Sequence, residues 1–423
     1  MHESALSPFD GAAILIVLAA CLGYLNHRLL RLPSSIGLTV MGALASLLVV
    51  AIDRFVPGVS LAGRVVDFLN GLDFHKTLME GMLSFLLFAG ALHVDWSHLR
   101  KGGLLVLAFS TIGVLVSTAL VGFGFKLLVD LAGVPVPLIW CLVFGALISP
   151  TDPVAVMSVM KRAAMPETLQ ATVAGESLFN DGIGVVVFSI LLAIALGTDQ
   201  FTLSGAFNYF LREALGGALL GLGIGWIGFR MMKSIDDYPI ELLISLAMVM
   251  GGYSLAMALH VSGPVAMAVA GLLIGNAGLT YAMSDQTQDY MVKFWELVDE
   301  VLNAVLFLLI GLEVIAIAGE PALLVLGLAA IPLVLAARAI SVGAPLALFG
   351  RSVQMGPLAM PTLIWGGLRG GISVALALSL PAGPERTAIL AATYLVVMFA
   401  VVVQGGSIGG LIRRLSAKAA ASA

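Results

Sequence analysis

Apolar residues run in blocks of about 20 along almost the whole chain, separated by short polar stretches. By block length the sequence predicts about thirteen membrane-spanning helices. They fall near residues 12–32, 36–52, 77–94, 104–131, 136–160, 169–196, 211–231, 239–259, 264–275, 292–317, 322–349, 357–380 and 386–412. The ninth is short. Residues 59–76 read as a candidate helix lying along the interface.

Two spans are interrupted. The fifth contains Ser149-Pro150-Thr151-Asp152-Pro153, where two prolines remove backbone donors and break the helix. The twelfth contains Gly366-Gly367-Leu368-Arg369-Gly370-Gly371, where the glycines weaken it. Unwound backbone at membrane depth is tolerated only where protein buries it or where it lines an aqueous cavity. The breaks lie an odd number of spans apart, so the two helices run in opposite directions. That is the sign of inverted six-helix repeats, with the seventh span as linker and a substrate site near the midplane.

Composition agrees. Of 423 residues, 60% are apolar and 11% charged, with a mean hydropathy of +1.06; a soluble domain carries about 25% charged residues. The fold class is therefore an all-α polytopic membrane protein. Cys21 and Cys141 lie in apolar runs and read as reduced packing residues. The first residues lack a basic stretch, so the first span is expected to be retained. No soluble regulatory domain is expected after the last span. The formal charge of −4 says little about partners. The lipid bilayer is the expected surrounding, and neither a nucleic-acid partner nor a cofactor is expected.

Basic residues set the orientation. One set of loops holds Arg28, Arg31, Arg100, Lys101, Lys161, Arg162, Arg230, Lys233, Lys293, Arg351, Arg413, Arg414 and Lys418. The other holds Arg54, Arg64, Lys76, Lys126, Arg212 and Arg386. The richer set belongs in the cytoplasm, which puts the N-terminus outside and the C-terminus inside a plasma (inner) membrane.

Charges inside spans are costly and mark function or tight pairing. Asp181 and Ser177 stand at i and i+4 on span six and share a face, with Glu176 and Asn180 on the next. Their hard oxygens suit an alkali cation. Asp152 reads as a cap for the half-helix after it, as a group facing a cation beside Thr151 and freed carbonyls, or as both. Glu176 needs a partner, because a lone buried charge is expensive. Arg338 and Arg369 are the basic residues inside spans. Arg338 is the favoured partner, making Glu176 a strut between spans rather than an ion carrier.

Weaker patterns are read blandly. Gly223-Ile-Gly225-Trp-Ile-Gly228 has the letters of a dinucleotide fingerprint without a preceding strand. Gly217, Gly221 and Gly225 give a small-residue packing face instead. His93, Asp95 and His98 do not make a metal cluster; His modulating a pH response is the alternative. Asp236, Asp237 and Glu241 read as a solvated helix start, with a cation-attracting funnel as the sharper option.

Thr151-Asp152-Pro153, followed by Gly175-Glu176-Ser177-Leu178-Phe179-Asn180-Asp181-Gly182, resembles the monovalent cation–proton antiporters of the NhaP-type and sodium/proton exchanger branch. Gly367-Leu368-Arg369-Gly370 resembles a third motif of that branch, and the likeness extends over nearly the whole chain. The resemblance implies a core domain near 104–196 and 322–412, a dimerisation domain near 12–94 and 211–317, and a homodimer. It implies elevator-like motion of the core. Cation and proton would compete for Asp181, helped by Asp152, Thr151 and Ser177, and the Asn180-Asp181 pair resembles the electroneutral members. Relatives often carry Glu where this chain has Ala89, and Glu80 is about 13 Å away along a helix. The expected function is exchange of Na⁺, or Li⁺, for H⁺, with K⁺/H⁺ exchange as the alternative. A cation channel and an intramembrane aspartyl protease are the more distant readings, and the protease's usual Gly-x-Gly-Asp is absent.

Overall fold

The computed structural model describes residues 8–55, 61, 63, 65, 82–163, 165–197, 203–312, 321–349 and 358–422. The described chain is helical almost throughout. Nine helices within it are long and apolar enough to cross a membrane. Among them are α1 (Pro8–Leu25) and α2 (Ser34–Phe55). The candidate interfacial helix at 59–76 and Glu80 lie outside the described residues. Next come α3 (Leu83–Leu92), α4 (Trp96–Ala108) and α5 (Val114–Leu131). A π-helical turn at Phe109–Gly113 joins α4 to α5 as one crossing.

The fifth crossing is broken into α6 (Leu138–Ile148) and α7 (Val154–Arg162). It is followed by α8 (Glu167–Ala195), α9 (Leu203–Met232), α10 (Tyr238–Leu259) and α11 (Gly263–Leu273). The short ninth span is longer than its apolar letters suggest, because helix continues through a π turn to Ala282. Then follow α12 (Asp285–Leu312) and α13 (Pro321–Phe349). The second broken crossing is α14 (Ala359–Trp365) and α15 (Gly371–Leu378). α16 (Pro384–Phe399) and α17 (Gly406–Ser422), joined by a π turn, end the chain.

α13 lies against α5 and α16, α5 against α6, and α8 against α4 and α6. In the other half, α12 packs on α2 and α3, and α11 on α3 and α9. Gly217, Gly221 and Gly225 of α9 face Ser262, Ala266 and Ala270, so the glycine letters are a helix-packing face. Cys141 is buried, whereas Cys21, also read as a packing residue, is exposed. Leu219, Trp226 and Leu243 are likewise largely exposed, as lipid-facing residues are.

The acidic start of α10 is only partly solvated. Asp237 caps the helix by accepting from the Ile240 N–H at 3.3 Å, and Asp236 accepts from Ser284 Oγ at 2.8 Å. Glu241, however, is fully buried and accepts from the Asp237 N–H at 3.2 Å. His98 lies 3.0 Å from Glu167 and 3.4 Å from Asp95, and no group among the described residues has the His, Cys, Asp and Glu needed to hold a metal.

α2 and α12 approach with little side chain between them. Thr39 Oγ1 donates to the Phe307 carbonyl at 3.2 Å and Ser46 Oγ to the Leu312 carbonyl at 2.7 Å. A Cβ on Gly311 would sit 2.8 Å from the Ala43 nitrogen and 2.9 Å from the Gly42 Cα. Gly311→Val is therefore expected to cost about 1–3 kcal/mol by overpacking. The measurement is the thermal unfolding midpoint in detergent, and an unchanged midpoint would mean that these helices separate freely.

Candidate functional site

The two breaks meet. The Asp152 N–H donates to the Leu368 carbonyl at 2.8 Å, and the two residues form an antiparallel bridge. The opposed direction expected from the odd offset is thus built into backbone hydrogen bonding. The closeness needs glycine: a Cβ on Gly370 would lie 2.7 Å from both Cβ and Oδ2 of Asp152. A Cβ on Gly367 would strike the Arg338 guanidinium.

Several loose ends at the crossing are tied. Arg369, fully buried, donates through Nη1 to the Ser149 carbonyl and, at 3.0 Å, to the Pro150 carbonyl. These are the carbonyls at the C-terminal end of α6, where helix dipoles favour a cation. Sequence reasoning offered such freed carbonyls to a transported ion; here a resident guanidinium occupies them. Gln404 Nε2 caps the end of α14 by donating to the Trp365 carbonyl at 3.1 Å. Ser149 Oγ bonds to Ser117 Oγ at 2.9 Å and to the Gly145 carbonyl at 2.6 Å.

Glu176 and Arg338 form a two-pronged ion pair. Nη1 donates to Oε1 and Nη2 to Oε2, the second at 3.0 Å. Arg338 also donates to the Leu363 carbonyl from Nε at 3.2 Å and from Nη2 at 2.9 Å. Both side chains are buried. The pair ties α8 to α13 and to the end of α14. Arg369 has no part in it, so of the two candidate arginines only Arg338 is the strut's partner.

Asn180 differs from expectation. Its Nδ2 donates to Thr151 Oγ1 at 2.8 Å, and the Thr151 N–H donates to its Oδ1 at 3.3 Å. Both ends of the amide hold the broken segment, and Asn180 does not line the cavity described next. Thr151 Oγ1 and Ser177 Oγ are 3.0 Å apart.

That cavity has a volume of about 500 Å³ and is walled by α3, α7 and the middle of α12 as well as by the crossing. Asp152, Asp181, Thr151 and Ser177 line it together, with Pro150, Pro153 and Gly370. Asp152 Oδ1 accepts from the Val154 N–H at 2.9 Å, so it caps α7 and still faces the cavity. Asp181 is only 8% exposed and makes no hydrogen bond among the described residues. The N-terminal ends of α7 and α15 both lie at Asp152, where dipoles favour a carboxylate. Two carboxylates and two hydroxyls around one space form an all-oxygen donor set suited to a hard cation.

Ser373 was missed by sequence reasoning. It is 1% exposed, lines the cavity, and its Oγ has no hydrogen-bond partner. Its position two residues beyond the Gly366–Gly371 break was the available signal. Ala89 is buried in an apolar cluster that includes Phe88, Met267 and Trp295, and does not line the cavity. The α3 wall is instead mostly apolar, with Gly90 and His93.

The ion pair generates a prediction. Glu176→Ala leaves a buried guanidinium without its carboxylate and is expected to destabilise the protein by about 3–5 kcal/mol. Pairing it with Arg338→Met removes the stranded charge and is expected to recover part of the loss. Unfolding midpoints of the two variants in detergent check this; equal midpoints would contradict it.

Comparison with known proteins follows the same lines. The family model described as "Sodium/hydrogen exchanger, transmembrane" matches residues 16–414. A Na(+)/H(+) antiporter NhaP from Pseudomonas aeruginosa is 45% identical over 412 residues, covering 96% of this chain and 97% of its own. The Na(+)/H(+) antiporter NhaH of Halobacillus dabanensis is 34% identical over 411 residues, covering 95% and 97%. The solved structure of the sodium proton antiporter MjNhaP1 from Methanocaldococcus jannaschii at pH 8 superposes with a TM-score of 0.73 at 20% identity, covering 96% of this chain and 98% of that one. By sequence along nearly its full length, the chain belongs to the sodium/hydrogen exchanger family of membrane transporters.

Proposed function

We propose that this protein exchanges Na⁺ for H⁺ across the membrane, with both ions competing for Asp181. One observation carries the reading: Asp181 is buried, unpartnered and open to a cavity that it shares with Asp152. A carboxylate in that position must take up a cation or a proton, because an unsatisfied buried charge is costly. The names of the relatives, sodium–proton antiporters at 45% and 34% identity, support Na⁺ as the cargo.

The cycle follows from exclusive occupancy. Protonated Asp181 has no charge to hold Na⁺, and ionised Asp181 binds it beside Asp152, Thr151 and Ser177. The loaded forms cross; the empty, charged form faces an apolar barrier and does not. One Na⁺ replaces one H⁺, so the cycle is electroneutral. Asn180, neutral and bound to Thr151, adds no second titrating charge beside Asp181. Residues 104–196 and 322–412 form the moving core, and residues 12–94 and 211–317 the dimerising frame of a homodimer in the plasma membrane. The cavity mouth, with His93, Lys161 and Glu300, faces the cytoplasm, as does the C-terminus.

Three outcomes are expected in proteoliposomes. Asp181→Asn abolishes cation-dependent proton flux, and robust flux from this variant would falsify the assignment. Acidifying the cavity side raises the apparent KM for Na⁺ with an unchanged maximal rate; a fall in maximal rate alone would argue against a shared site. Clamping the membrane potential leaves the rate unchanged, whereas a steep voltage dependence would rule out one-for-one exchange. Running Na⁺, Li⁺ and K⁺ side by side fixes the cargo.

A further inference from the structure

The cavity wall opposite the crossing belongs to α12. Glu296, Asp299, Glu300 and Asn303 stand on it, a polar stripe at helical spacing on one face. The two glutamates are exposed at the mouth, and Asp299 is half-buried further in. Asn303, one turn deeper and 9% exposed, follows Asp299 at i+4 and lines the same cavity. Asp299 is close enough to Asp152 for the two charges to interact. Among the described residues neither of them, nor Asp181, forms an ion pair.

Acids at a cavity mouth are ordinary by themselves. What distinguishes this wall is what it faces. Asp181 and Ser373 are both more than nine-tenths buried, both line the same cavity, and neither has a hydrogen-bond partner among the described residues. Buried polar groups are almost always satisfied. Three carboxylates and an unmatched hydroxyl around one space are complementary to a small cation.

We propose that Asp299 is a further cation-handling residue of the exchange: it receives a monovalent cation from the mouth and passes it to Asp152 and Asp181. This rests on the exchange reading above and adds a sidedness to it. Asp299 stands on α12, in the frame, while Asp152 and Asp181 stand in the moving core. When the core turns its site to the opposite side, Asp152 leaves Asp299 behind. Asp299 therefore strengthens cation capture from the cavity side and contributes nothing from the other.

The test measures the KM for Na⁺ from each side, in everted and in right-side-out membrane vesicles, for the full chain and Asp299→Asn. From the cavity side KM is expected to rise roughly tenfold, the low end of what focused charge does to local counter-ion concentration, with kcat moving less than KM. From the other side KM stays as in the wild type, and Asp299→Glu restores the cavity-side value. An unmoved cavity-side KM, or an equal rise on both sides, overturns the proposal. Should Asp299→Asn fail to give a monodisperse protein, Asn303→Ala keeps the charge and removes the polar neighbour one turn deeper in the cavity. A smaller rise confined to the cavity side is then expected, and no rise overturns the proposal. Asp181→Asn separates the two readings. If it still exchanges, the shared-site reading fails; if it is silent while Asp299→Asn behaves as wild type, only the role of Asp299 fails.

Discussion

Two interrupted helices cross at membrane depth, where freed backbone groups need partners within the protein or at a cavity, and much of the site answers that constraint. The Asp152 N–H reaches the Leu368 carbonyl, Arg369 takes the carbonyls of Ser149 and Pro150, and Asn180 takes both polar groups of Thr151. Satisfying the broken backbone fixes the side chains that leave it. Gly370 lets Asp152 come within van der Waals range of the second break, and the N-terminal ends of α7 and α15 then face the same space.

The buried carboxylates of α8 show how position assigns role. Glu176 has both oxygens matched by one guanidinium, which is anchored again on the Leu363 carbonyl. Asp181, a turn and a half along the same helix, has nothing matched. A paired charge in a low-dielectric interior resists exchange with anything, because removing either partner strands the other. An unpaired one is open to any small cation that reaches it. The same helix thus supplies a permanent strut and a vacant ligand.

Much of this was legible in the sequence. Prolines and glycines located both breaks, and an odd number of intervening spans gave their antiparallel sense. Helical spacing put Asp181 with Ser177, and the scarcity of basic residues inside spans narrowed Glu176's partner to Arg338 or Arg369. What stayed hidden depends on distances across the fold. Asn180 looked like a ligand because it adjoins Asp181, yet a helix turns adjacent residues about 100° apart, and its amide faces Thr151. Arg369 looked like a second candidate for Glu176, yet the crossing aims it at carbonyls. Asp299 and Ser373 carried no motif, since one sits among solvated charges and the other in an apolar half-helix. Ala89 seemed to leave a gap in the site, but its position faces a packed cluster away from the cavity.

The two buried arginines have a consequence for the electrical work of transport. In the proposed moving core, the carboxylates of Asp152, Glu176 and Asp181 oppose the guanidinium groups of Arg338 and Arg369. With the carboxylates ionised, these five groups carry a single uncompensated negative charge. One Na⁺ cancels it, and so does one H⁺. Either load makes this set neutral and able to cross a low-dielectric slab with little self-energy penalty, while the empty set keeps a charge that the slab rejects. Arg369, which touches no ion, would then set the count: take its charge away, and a single monovalent ion no longer brings the travelling set of inner charges to zero.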